Sequence, residues 1–180
     1  PTAYGLINSP GFAEAGWFPF ALAGKLTLNY GNAGGVDVAT LDSKDLFWLA
    51  SINDDEDLRN YRYKLMLDNN IDPDFREMIA CVGDPSTEFS ALALDKKYRI
   101  VETAAIRNTW NADTMLFGGI HAGQTTIANG DLDTGNFYID SFGDRFACDL
   151  PIESYNLPGY GNAKYRERGE GHNLLIFNPD

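Results

Sequence analysis

Cysteine and histidine are scarce in this 180-residue chain, with two of each. Cys81 and Cys148 stand far apart and make no CxxC pattern, so a zinc ribbon has no basis. Cys148 falls in an alternating apolar stretch, where a buried free thiol is expected. Basic residues are also few: 14 Lys and Arg face 26 Asp and Glu, for a net charge of −12. That balance argues against a nucleic-acid surface, which needs a basic patch. No apolar run approaches the ~20 residues of a membrane span, and no signal-peptide pattern opens the chain. Gly-x-Ser-x-Gly, P-loop and dinucleotide fingerprints are missing, and so are internal repeats and low-complexity tracts. The first residue is Pro1 rather than Met, which leads us to expect a piece of a longer protein or a processed one.

What is present is ordinary for a soluble globular protein: 44% hydrophobic and 22% charged residues, enough for one domain or two small ones. The pattern predicts an α+β chain, with a helical segment over 1–84 and antiparallel strands over 85–180. In the first part Trp17, Phe18 and Phe20 suit the core of a helix pair better than a sugar cleft. A glycine loop follows at Gly31–Gly35. Asp42 is placed to start a helix whose apolar face is Leu46, Phe47, Leu49 and Ala50. The acidic run Asn53–Asp57 lacks the glycine and glutamate of an EF-hand loop, so it reads as a solvated turn and helix start. Leu58, Tyr61 and Leu65 then recur at helical spacing. Asp72-Pro73 signals another helix with a buried stripe of Phe75, Met78, Ile79 and Val82, stopped by Gly83. Beyond Pro85 the texture changes. Phe89–Leu94 and Tyr98–Ile106 read as strands or pieces of them, Met115–Ile120 as another, and Leu174–Phe177 as a buried closing strand. Residues 151–170 read as a long loop rich in proline and glycine, of the kind that often carries function.

The most informative stretch runs from Asn129 to Asp149. A polar loop gives way at Gly135 to alternation, with Phe137, Ile139 and Ser141 on one face and Asn136, Tyr138 and Asp140 on the other. Phe142-Gly143 is placed to make a tight turn, and Phe146, Cys148 and Leu150 give the returning strand an apolar face. Antiparallel pairing brings the end near Asp131 back beside Asp149. Two carboxylates that close repel and raise one pKa, so a cation or a charged His172 is expected to hold them.

The segments Asp131–Phe137, Gly143–Asp149, Tyr155–Tyr160 and Tyr165–Asn173 resemble the heparinase II/III-like polysaccharide lyases, and Asn29–Gly34 resembles the segment before their β domain. The resemblance implies that 1–84 is the end of an α/α toroid and 85–180 the antiparallel, β-sandwich-like sheet domain that follows it. In the family a His-x-His-Leu-Asp-Ala-Gly motif, a carboxylate after the hairpin and a later histidine build a metal site. Here Asn129 and Asp131 stand at the two motif histidines, while Asp149 and His172 match the other ligands. The resemblance thus implies a metal on Asp131, Asp149 and His172. Zinc is the metal implied by resemblance; the oxygen-rich set tilts towards Ca²⁺ or Mn²⁺. The alternative is a loop in which Asp131 caps a turn and His172 is a hydrogen-bonded core residue.

The activity implied is β-elimination on an acidic polysaccharide of glycosaminoglycan or alginate type, by a bacterial enzyme secreted to the periplasm or beyond. Such chemistry needs a base in reach and a neutralised sugar carboxylate. Asn129 and Tyr155 are the candidate catalytic residues, although asparagine donates a hydrogen bond and shuttles no proton. Arg166, Arg168 and Tyr160 are the candidate substrate contacts. Lys164, Arg166 and Arg168 form the densest positive cluster, which reads equally well as a solvated strand edge. Anchoring of the loop by the ring is an equal alternative for Tyr155, Tyr160 and Tyr165. His121 is expected to be structural or solvated. A non-catalytic carbohydrate-binding or structural β module of a larger secreted protein is the second function class. No nucleic acid and no membrane is expected as a partner, only the glycan and the remainder of a parent chain.

Overall fold

The structure is a computed structural model and describes residues 5–29, 44–81, 83–88, 90, 92–125, 131–150 and 165–177. Asn129, Tyr155 and Tyr160 lie outside the described residues, as do Gly31–Gly35 and Asp42. The chain is α+β: helices α1 (Phe18–Ala21), α2 (Leu46–Asn53), α3 (Glu56–Asn69) and α4 (Phe75–Ala80) precede a sheet of strands β1 (Asp95–Tyr98), β2 (Thr103–Arg107), β3 (Leu116–His121), β4 (Asn136–Ser141) and β5 (Asp144–Ala147). No helix among the described residues is long and apolar enough to cross a membrane. Two compact units emerge, Pro1–Pro19 with Ala39–Leu92, and Phe20–Val38 with Ala93–Asp180.

The helical unit is organised by its acidic residues. Asp54 turns the chain with a positive φ, and Asp55 caps α3 by accepting from the Leu58 backbone N–H at 2.9 Å. Asp55 also accepts from the Trp17 indole at 2.8 Å. The Asn53–Asp57 run is therefore the turn and helix start expected of it. Helix α4 begins later than Asp72-Pro73 predicts. Asp74 and Glu77 form a reciprocal capping box that satisfies two backbone donors. Its apolar stripe is also turned about: Phe75, Met78 and Ile79 are exposed, and the buried residue is Glu77. Glu77 is buried because Arg62 of α3, itself buried, reaches it at 2.6 Å.

The sheet has the order β1-β2-β3-β4-β5, every neighbouring pair antiparallel. Between β4 and β5 the turn is Phe142-Gly143, with φ of 49° and 83°. Two successive positive φ values match the twist of a two-residue hairpin. Tyr98–Ile106 holds pieces of two strands, the alternative its sequence allowed. Ile100 and Glu102 take positive φ and fold it into the β1–β2 hairpin. Phe89–Leu94 contributes no strand among its described residues. Leu174–Phe177 is not a buried strand either: it lies outside the sheet, and Leu175 and Phe177 are exposed. An apolar run becomes a strand only where a neighbour offers ladder hydrogen bonds. Cys148 is exposed, not buried, and so are Phe146 and Leu150.

The register places Thr103, His121 and Asn136 in one row across the inner face, and Arg107, Phe117 and Asp140 in another. All six are buried. The segment from Phe20 to Asn29 supplies what this polar face needs. Arg107 donates to the carbonyls of Ala21 and Ala23, Asp140 accepts from the Lys25 backbone N–H, and Arg145 donates to the carbonyls of Leu26 and Thr27. Arg145 is also paired with Asp140 at 2.6 Å. The Arg145 and Asp140 charges are tolerable because they are paired and hydrogen-bonded, and the Arg107 guanidinium is held by carbonyls.

Candidate functional site

The site forms where the loop before β4 meets the segment after β5 and the turn that carries His172. The loop Asp131–Gly135 is pinned to the end of β3. The Gly135 N–H donates to the His121 carbonyl at 2.7 Å, and the Thr134 hydroxyl donates to the Gly123 carbonyl at 2.8 Å. The Leu132 N–H donates to the Glu167 carbonyl at 3.0 Å, drawing the Tyr165–Glu167 turn onto the loop. Gly171 lets the chain fold back closely there: a Cβ on it would lie 2.3 Å from the Tyr165 carbonyl oxygen. His172 follows directly.

Asp149 and His172 are brought together. The His172 Nδ1 lies 2.7 Å from Asp149 Oδ1, and both side chains are almost fully buried. Asp149 Oδ1 also accepts from the Leu150 N–H at 2.9 Å. Asp149 Oδ2 and His172 Nε2 are buried without a hydrogen-bond partner among the described residues. Asp131 is buried beside this pair and interacts with it electrostatically. Its carboxyl is pushed up to about 6, first by burial and then by the charges of Asp133, Glu167 and Asp149, with His172 acting in the opposite sense. Burial also raises Asp149, against the pull of its bond to His172.

Asp133, given no part in the site by the sequence, and His121, expected to be structural or solvated, complete the cluster. Asp133 is buried two residues along the loop from Asp131, and His121 lies with its Nε2 3.9 Å from Asp133 Oδ1. Burial lowers the His121 pKa, and Asp133 partly restores it. His121 is thus neither solvated nor isolated. The Asp-x-Asp spacing was the one signal in the sequence; the β3–β4 register, which aligns His121 with Asn136, comes only with the fold.

Arg166 is half-buried and Arg168 exposed on the segment leading to His172. The Tyr165 hydroxyl donates to the Glu170 carbonyl at 2.8 Å, so this phenol anchors its own loop. Among the described residues, no three His, Cys, Asp or Glu side chains are gathered tightly enough to hold a metal ion. In kind, the donors do fit one. Asp149 Oδ2 and His172 Nε2 are buried atoms in need of a partner, and the surrounding carboxylates suit a cation.

No protein-family model matches the chain, and no curated protein matches it. Its fold is similar to part of a solved heparinase III structure, with a TM-score of 0.60 and 13% identity. The likeness covers 87% of this chain but 22% of that one, so the chain spans about a fifth of its neighbour's length. At that identity the likeness is one of fold.

Proposed function

We propose that the chain is part of a polysaccharide lyase that cleaves uronic-acid-containing glycans by β-elimination, contributing an ion site and sugar contacts. The observation that carries this reading is the buried His172–Asp149 pair beside Asp131, set where the hairpin and the Glu-Gly-His-Asn stretch resemble the lyase motif. The fold shared with part of a heparinase III structure supports it. In β-elimination a base takes the proton next to the sugar carboxylate, a C=C bond forms, and the glycosidic oxygen leaves. The carbon acid is weak, so the carboxylate must be neutralised.

Asp149 and His172 would hold a divalent ion, Zn²⁺, Mn²⁺ or Ca²⁺, with Asp131 drawn in closer than it stands here. Bound there, it would supply positive charge against the buried carboxylates. Arg166 and Arg168 bring positive charge towards an acidic polysaccharide in an otherwise acidic chain. Asn129, Tyr155 and Tyr160 enter as sugar-facing groups on the strength of the sequence. A periplasmic or extracellular location goes with a polymeric substrate.

The ion arm is tested by thermal unfolding with Zn²⁺, Mn²⁺ or Ca²⁺ against a chelator. A true site adds stability of about 2.7 kcal/mol at a hundredfold excess over Kd. His172→Ala and Asp149→Ala should each abolish most of that gain. No gain with any of the three ions removes the ion from the proposal. The catalytic arm is tested by the absorbance of unsaturated uronate on heparin, heparan sulfate, chondroitin or alginate. The 180-residue chain by itself should give none, because Asn129 cannot act as a base. A chain that also carries a helical toroid should give it.

A second reading, a glycan-binding or structural module, is favoured by one specific observation. Asp131, Asp133, Asp149, His121 and His172 are all buried. Glycan retention without cleavage, in a protein that has the toroid, would select it.

A further inference from the structure

We propose that Asn136 is the positioning residue of the His172–Asp149 pair, holding it through a closed ring of hydrogen bonds. The inference rests on His172 being the working imidazole of the proposed function. Asn136 is fully buried on β4. Its Nδ2 donates to the Tyr138 hydroxyl at 3.0 Å, and that hydroxyl donates to the Asn29 carbonyl at 2.5 Å. The Asn29 amide donates to the Asp149 carbonyl at 3.3 Å. Asp149 meets His172 through Oδ1 and Nδ1. His172 is bonded in the chain to Asn173, whose N–H donates to Asn136 Oδ1 at 3.1 Å and closes the ring. Asn173 adds a brace. Its Nδ2 donates to the Cys148 carbonyl at 2.7 Å and to the Phe137 carbonyl at 3.3 Å, so the residue after His172 is tied to the residue before Asp149.

The position demands asparagine for a chemical reason. One short buried side chain must donate in one direction and accept in the other. Aspartate lacks the donor, and an aliphatic residue lacks both. The ring also fixes the imidazole. Asp149 Oδ1 already accepts from the Leu150 N–H, so it meets Nδ1 as an acceptor and Nδ1 carries the proton. Nε2 is then the nitrogen with the free lone pair, the one suited to take a ligand or a proton. A hydrogen bond to an ionised carboxylate favours that tautomer by about tenfold or more.

The test reads the tautomer directly, without metal, from imidazole ¹⁵N shifts of the 180-residue chain. The protein has two histidines, and His121→Gln assigns the signals. Wild type should show His172 as a single Nδ1–H tautomer. Asn136→Leu should let it drift to a mixture, a loss of about tenfold in the ratio. Tyr138→Phe, which opens the ring on its other side with little change in volume, should do the same in part at unchanged native circular dichroism. If Asn136→Leu does not fold, Tyr138→Phe decides. A fixed Nδ1–H tautomer in the folded variants, with only the melting temperature lowered, would overturn the proposal and leave Asn136 a structural residue. Failure to bind ions, with the tautomer still dependent on the ring, would refute the ion site and leave the ring standing.

Discussion

Asp131 is a carboxylate in a place that penalises its ionised form. Its pKa rises from 3.8 to about 6 because burial and the neighbouring acids disfavour the charge. The folded state therefore holds its proton more tightly than the unfolded state does. Stability from this group is present below about pH 4 and is lost as pH climbs through 6. Asp131→Asn should accordingly stabilise the metal-free protein at pH 7–8 by roughly 1 kcal/mol, a figure reduced for solvent screening and for carboxylates that titrate together, and should be near neutral at pH 4. Urea unfolding at the two pH values checks this, and an equal effect at both would contradict it. With a bound divalent ion the order should invert, because the ion needs the carboxylate. Asp149 and His172 were legible because motif and hairpin geometry point to one spot. Asp133 and His121 were not, since their role depends on which strand neighbours β4, and spacing along the chain does not carry that information.

At the scale of elements, caps and turns were easier to read than burial. Phe142-Gly143 and the Asn53–Asp57 helix start act through their own backbone, so local chemistry decides them. Helix α4 and Leu174–Phe177 went the other way, because which face is covered depends on a partner surface far away in sequence. Glu77 shows the consequence. It closes the capping box through Oε2, 3.1 Å from the Asp74 N–H, while Oε1 takes Arg62. Glu77→Ala should destabilise by about 3–5 kcal/mol, since it strands a buried guanidinium. Replacing both Arg62 and Glu77 with leucine should cost much less, because the desolvation penalty leaves with the pair. Denaturant unfolding of single and double variants measures the difference. A double variant as unstable as the single would mean the ion pair itself, rather than the stranded charge, sets the cost.

At the scale of the whole molecule, the change from helical to strand periodicity made the α+β class legible, but the sheet reverses the usual assignment of faces. Its polar face is the buried one, satisfied by Arg107, Asp140, Arg145 and the backbone of Phe20–Asn29. Its other face carries Ile106 and Ile139 on either side of Gly118, and Ile120 beside Phe137, with Leu116 and Phe146 nearby. These six side chains are 41–72% exposed. A contiguous apolar sheet face of this kind binds hydrophobic dyes and other apolar surfaces. The 180-residue chain should therefore enhance the fluorescence of an anilinonaphthalene sulfonate in its native state. Phe137→Lys with Ile139→Lys, adjacent in space across one pleat, should remove most of that signal. Because neither side chain contributes to the inner core, unfolding stability should shift by no more than about 0.5 kcal/mol per site. Dye binding that survives the double substitution, or a collapse of stability on making it, would show that this face is not the free apolar surface of the sheet.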